Sequence, residues 1–171
     1  MHTFNTLSKP TVVLVQGSAL GGGVGLVACA DIAIAAEKAR FSLSETRLGL
    51  IPSVISPYVI DAIGARAARR YFLTAERFDA HEALRIGLIH EVVSTDALPA
   101  ALENVLAVLR QCGPNAKAAA KEMIALVQRS PRDDALRRTT AERIAEIRAS
   151  DEGREGVSAF LEKRSPAWYQ E

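Results

Sequence analysis

A triple glycine that runs into an apolar stretch with no polar face, GGGVGLVACA from Gly21 to Ala30, constrains this chain more than any other segment. A helix that is apolar all round is expected inside a domain, where the N–H groups of its first turn have neither water nor a preceding turn to bond. Another oxygen has to accept them. Three glycines at that end let a ligand come close to the backbone, and the positive end of the helix dipole favours an oxygen carrying negative charge. The pattern places this helix over Val24 to Ala30, buried in the middle of the fold.

The flanking residues make the segment part of a larger unit. Thr11 to Val15 is a β-branched apolar run between Pro10 and Gly17, which predicts a strand buried on both faces. Asp31 ends the helix, and Ile32, Ile34 and Ala35 resume a strand pattern at the spacing of a parallel crossover. Arg40 to Leu43 adds a short extended piece that delivers Ser44 and Glu45 to a strand end, on the side of the sheet where α/β proteins bind ligands. An ester-like carbonyl held by glycine amides, with a carboxylate beside it, can be stabilised as an enolate while a proton moves.

Two other glycine-rich readings compete. Gly23-Val24-Gly25-Leu26-Val27-Ala28 fits the dinucleotide pattern GxGxxA, with Glu45 about twenty residues on, but Gln16 to Gly22 intervene where the first glycine should follow its strand at once. A phosphate-binding P-loop fails because no Lys-Ser or Lys-Thr follows. Glycines that serve close helix packing alone remain the structural alternative.

The rest of the chain reads as support. Met1 to Ser8 is a helix tail or loop leading to Pro10. Ser53 to Ile63 has helical apolar spacing with Pro57 in its first turns, and Gly64 is a stop. Arg66, Arg69 and Arg70 lie among small residues in Ala65 to Leu73, and a helix from Ala80 to Ile86 ends at Gly87. From about Asp96 strand signals cease, so residues 1–95 are expected to form an α/β core and 96–171 a helical region. Leu98, Leu102, Val105, Leu106 and Leu109 make one apolar stripe there, and Ala119, Ala120, Met123, Ile124 and Val127 another. The charged stretch Arg132 to Arg148, with Asp133/Arg137 and Asp134/Arg138 at helical spacing, has only Leu136, Ile144 and Ile147 as a seam, which predicts a subunit contact. A last helix, Asp151 to Arg164, sets Phe160 and Lys163 about one turn apart on one face.

Composition narrows the partners. A formal net charge of +1 among 171 residues gives no concentrated basic face for nucleic acid or anionic membrane. Cys29 and Cys112 have no CxxC spacing and read as reduced thiols of a cytoplasmic protein. His2, His81 and His90 form no ligand cluster, so no metal is expected, and no apolar run is long enough to span a bilayer.

VQGSALGGGVGLVACADIAIAAEKARFSLSETRLGLIP, LTAERFDAHEALRIGLI and SAFLEKR resemble the crotonase superfamily, the enoyl-CoA hydratases and isomerases, over essentially the whole chain. The resemblance implies an α/β crotonase-like fold, a ββα superhelix of which this chain carries the later part, followed by a C-terminal helical trimerisation region. FSLSETRLGLIPSVISPYV and RRYFLTAERFDAHEALRIGL resemble bacterial methylglutaconyl-CoA hydratases more than straight-chain enoyl-CoA hydratases, which have a GGTQR-type run in place of Val54 to Pro57. The function implied is a lyase that adds water to a 2-enoyl-CoA, with 3-methylglutaconyl-CoA of leucine catabolism as the specific candidate. Coenzyme A is then part of the substrate, not a separate cofactor, and the assembly is a homotrimer or a hexamer of two trimers.

Position by position, the resemblance makes the Gly22 N–H one of two amides on the thioester oxygen and Glu45 the second of two catalytic glutamates. Leu20 and Gly21 are among the substrate-binding residues it implies, Pro52, Ser53, Val54 and Ile55 line the acyl pocket, and Phe160 and Lys163 approach the coenzyme A moiety. Gly25 stands where the first glutamate would be. Relatives with one retained glutamate include isomerases that shuttle a proton along the acyl chain, so that reading stays open. Family members also carry an earlier segment that supplies the other oxyanion N–H, which leaves a third reading, a non-catalytic fragment that assembles with other crotonase-like subunits.

Overall fold

The computed structural model describes residues 1–169. The chain divides into two compact units, Met1–Leu7 with Thr11–Asn104 and Ser8–Pro10 with Val105–Glu171. In the first unit a short helix α1 (His2–Asn5) precedes β1 (Val12–Val15), β2 (Ser18–Leu20), α2 (Gly22–Cys29), β3 (Ile32–Ala36) and β4 (Arg40–Ser42). A 3-10 turn over Ser44–Leu48 follows, then α3 (Ser56–Thr74), β5 (Phe78–Asp79), α4 (Ala80–Arg85) and β6 (Glu91–Val93). The strands form two sheets of three, ordered β1-β3-β6 with every pair parallel, and β2-β4-β5 with β2 parallel and β5 antiparallel to β4.

The crossover predicted around the glycines is present, since β1 pairs with β3 from Val12 opposite Ile32 to Val15 opposite Ala35. A polar clamp fixes its two ends. Asp31 Oδ2 accepts from the Thr11 N–H at 2.7 Å and from Thr11 Oγ1 at 2.8 Å, and Thr11 Oγ1 accepts in turn from the Asp31 N–H at 3.0 Å. Thr11→Val keeps the shape and removes the hydroxyl bonds, and should cost about 1–2 kcal/mol, read as a lower midpoint in urea denaturation. Behind the sheets, Phe41 stacks on Phe78 at 5.6 Å between ring centroids, and Tyr71 packs on Phe78 at 4.3 Å. Leu43 and Val59 complete this core with no exposed surface.

Several local expectations differ from the structure. α2 starts at Gly22, two residues early, and Leu26 on it is 48% exposed although the helix has no polar face. β1 is not covered on both sides either, for Leu14 is 37% exposed. Both follow from topology: β1 is the outer strand of its sheet, with β3 as its partner among the described residues, and α2 packs against α3 and β2. α3 begins at Ser56 because Ser53 is used in a turn, its N–H donating to Ile51 O at 2.8 Å and its carbonyl accepting from Ser56 Oγ at 2.8 Å. Gly64 interrupts the helix with φ 72° and ψ 157°, so the stop read there is a break between two helical pieces. The three short strands β2, β5 and β6 had no sequence signal.

The second unit holds the end of α5 (Leu98–Gln111), α6 (Pro114–Arg129), α7 (Asp134–Ala149) and α8 (Asp151–Glu162). Side chains cap these helices: Asp133 accepts from the Leu136 N–H, Ser150 from the Gly153 N–H, and Glu152 from the Asn115 and Ala116 N–H groups at the start of α6. Asp133 is thereby used as a cap, and Arg137 pairs with Asp134 at 2.9 Å instead. Ile144 and Ile147 line an apolar groove of about 470 Å³ with Ala116, Ala119, Met123 and Leu126, while Leu136 is half-buried.

Candidate active site

Gly21 is the hinge of the site. Its N–H donates to Ser42 O at 2.9 Å, which carries β2–β4 pairing one residue past the strand, and its carbonyl accepts from the Val24 and Gly25 N–H groups at 2.9 and 3.3 Å. To do both it takes φ 48° and ψ −115°, a backbone shape that favours glycine. The two amides between, Gly22 and Gly23, are the first of α2 and find no acceptor among the described residues. Gly22 is exposed, so a ligand can reach its N–H.

Glu45 comes to the same place from the 3-10 turn after β4. A Cβ placed on Gly21 would lie 3.0 Å from Glu45 Oε1 and 3.8 Å from Oε2, so the carboxylate rests against the bare Cα of Gly21. Its Oε2 is buried and makes no hydrogen bond. A buried acceptor without a donor is unusual in a folded chain and marks a place where a proton or a donor is to be received. Two hydroxyls hold the turn on either side: Ser42 Oγ donates to Ala75 O at 3.1 Å, and Thr46 Oγ1 to Phe72 O at 2.9 Å. Leu50 N–H closes it from below on Glu45 O at 3.0 Å. Sequence reading passed over Ser42 and Thr46, although hydroxyl residues bracketing the acid in FSLSET are a legible signal for such ties.

The other expected residues separate into groups. Leu20 ends β2 beside the hinge and is 44% exposed. Ser53 and Val54 are exposed, Val54 at 74%, whereas Pro52 and Ile55 are buried. Ile55 sits on α2: a Cβ at Gly25 would meet its Cγ2 at 2.2 Å and its Cβ at 2.7 Å. Phe160 and Lys163 belong to the second unit, Phe160 81% exposed on α8. Lys163 has left the helix, with φ 55° at its C-cap, so the two are not stacked on one helical face.

Positive charge in the first unit gathers elsewhere. A cleft of about 700 Å³ is lined by Arg66, Arg69, Arg70 and Arg85 with Ile63 and Leu73, and contains none of the expected site residues. Tyr71 OH donates there to Glu82, which Arg85 also grips, and these contacts, Arg85 first, pull the Glu82 carboxyl down to about 2. Burial and then the Glu82 bond push Tyr71 up to about 12. Among the described residues no group of three His, Cys, Asp or Glu could hold a metal, and no helix is long and apolar enough to cross a membrane.

The family model for enoyl-CoA hydratase/isomerase matches residues 1–171. A carnitinyl-CoA dehydratase of Citrobacter koseri is 31% identical over 174 residues, which cover 95% of this chain and 64% of that protein. Among solved structures, an enoyl-CoA hydratase from Shewanella pealeana is 50% identical with a TM-score of 0.94, over 98% of this chain and 62% of the other. AtuE of Pseudomonas aeruginosa is 45% identical with a TM-score of 0.94, over 99% of this chain and 66% of that one. The fold is therefore α/β and crotonase-like with a helical C-terminal region, and the chain spans a little under two thirds of the length of these relatives.

Proposed function

The chain belongs to the enoyl-CoA hydratase/isomerase family, and on that premise we propose that it adds water across the double bond of a 2-enoyl-CoA thioester, with Glu45 as the acid–base group. The observation that carries this reading is the Glu45 carboxylate lying on Gly21 at the open end of α2, with one oxygen buried and unbonded. The thioester oxygen accepts from the Gly22 N–H, where the helix end favours the negative charge of an enolate. Water held by Glu45 forms the C3–O bond and gives its proton to the carboxylate, which passes a proton to C2 as the enolate collapses. Hydration and dehydration are two directions of this one step, which suits relatives named for either. A branched substrate such as 3-methylglutaconyl-CoA is the specific candidate, and the coenzyme A is part of it.

The glycine at position 25 favours a second reading, isomerisation, because it leaves one carboxylate at the helix end. Product identity separates the two. Incubating the protein with 3-methylglutaconyl-CoA in heavy-oxygen water should place the label at C3 of a hydroxyacyl product; a shifted double bond without label would replace hydration by isomerisation. We further propose a homotrimeric assembly, in which the groove beside Ile144 and Ile147 is covered by a second copy and Phe160 and Lys163 approach coenzyme A. Light scattering that gave a folded monomer at micromolar concentration would overturn it.

A further inference from the structure

Gly21, the N-cap of α2, and Gly25, in its first turn, lie four residues apart, and each bare Cα is covered by a different side chain. The Glu45 carboxylate covers the first, and Ile55 covers the second with its Cβ and Cγ2. Side chains on a helix lean towards its N-terminus and cover the turn before their own Cα. A side chain at position 25 would thus lean towards Gly21 and Gly22, and position 25 is a place on α2 from which a second acid could reach a group bound at the helix end. Ile55 occupies the start of that path. The contact distances of 2.2 and 2.7 Å from a Cβ at 25 are far inside van der Waals range. Both partners are buried, Ile55 with 4% of its surface exposed, so neither can swing away into solvent. The Met1 Cε at 3.1 Å from the same point narrows the space further.

We propose that Ile55 decides the acid–base complement of this site: seated on Gly25, it bars a second carboxylate from the inner turn of α2 and leaves Glu45 to take and return the proton alone. The inference rests on the enoyl-CoA reading for its chemistry and on packing alone for its mechanics. In hydration the water O–H breaks towards Glu45 as C3–O forms, and the same carboxylate then releases a proton to C2, so that it ends as it began. A single group serves both half-steps, and no second ionisation limits the rate.

Two measurements on the full chain test it. The first is a thermal cycle over Gly25→Ala, Ile55→Ala and the double variant. Overpacking should lower the midpoint of Gly25→Ala by about 5 °C or more, and removing Ile55 should make the added methyl nearly harmless, so that the two changes are strongly non-additive. Additive effects, or a double variant that does not fold when Ile55→Ala does, would overturn the proposal without touching the functional reading. The second is the pH dependence of kcat/KM for 3-methylglutaconyl-CoA. The wild-type chain should rise with pH and stay level, whereas Gly25→Glu with Ile55→Ala should acquire a falling limb from the second carboxylate. A bell-shaped wild-type profile would overturn it. No turnover of any 2-enoyl-CoA alongside a non-additive thermal cycle would instead sink the functional reading and the chemical half of this inference, while keeping the plug.

Discussion

Glu45→Gln is expected to lower the catalytic constant for a 2-enoyl-CoA by about 10²–10⁴-fold, the usual loss when a general acid or base is removed. The substitution is clean because of where the carboxylate lies. It rests on the Cα of Gly21, and its buried Oε2 has no hydrogen bond to lose, so an amide of the same shape fits without repacking. The turn that carries it is held through Ser42, Thr46 and the Glu45 main chain, none of which the change touches. Thermal stability should therefore stay close to wild type, and the affinity for a saturated acyl-CoA should change little, since the α2 amides are intact. Full activity in this variant would make the carboxylate structural and end the proposed mechanism. Hydration and isomerisation both predict the loss, so the labelled product, and not this variant, distinguishes them.

The parts of this arrangement that could be read from sequence are those encoded in one continuous stretch. The parallel crossover was legible because its strands are four and five residues long and separated by a helix with its own start and stop signals. β2 and β5 carried no such signal, yet β2 is what brings Leu20 and Gly21 alongside Ser42. Apolar periodicity reports what a segment could bury and not what is present to bury it, which is why Leu14 and Leu26 were expected inside and are partly exposed. The pairing of a glycine-rich helix end with a nearby acid was visible as chemistry. Its geometry was not: the hinge angles of Gly21 depend on simultaneous bonds to Ser42 and α2, and the seat of Ile55 on Gly25 joins residues thirty positions apart that only the bend before α3 brings together.

Gly22→Val should abolish turnover and acyl-CoA binding while leaving the fold intact, and the contrast with its neighbour explains why this position is the sharper probe. At Gly21 a side chain would suffer the strained φ of 48° and press on the Glu45 carboxylate at 3.0 Å, so a loss of activity there would mix backbone strain with a displaced acid. At Gly22 neither problem arises. The backbone is helical, and a Cβ meets nothing within 4 Å, so the added side chain enters open space in front of the first α2 amides. In the free protein that space costs nothing to fill, and replacing glycine by a residue with a side chain even removes some backbone entropy from the unfolded chain. With a thioester oxygen bound there, the same branched side chain stands where the ligand must come within hydrogen-bond distance of the N–H. An unchanged denaturation midpoint combined with lost binding of butyryl-CoA by calorimetry is thus the expected pair of results. Gly22→Ala, with one methyl in that space, should fall between wild type and Gly22→Val. Unchanged kinetics in Gly22→Val would mean that the glycines serve the close approach of Glu45 and Ile55 to α2 and that the carbonyl is held somewhere else.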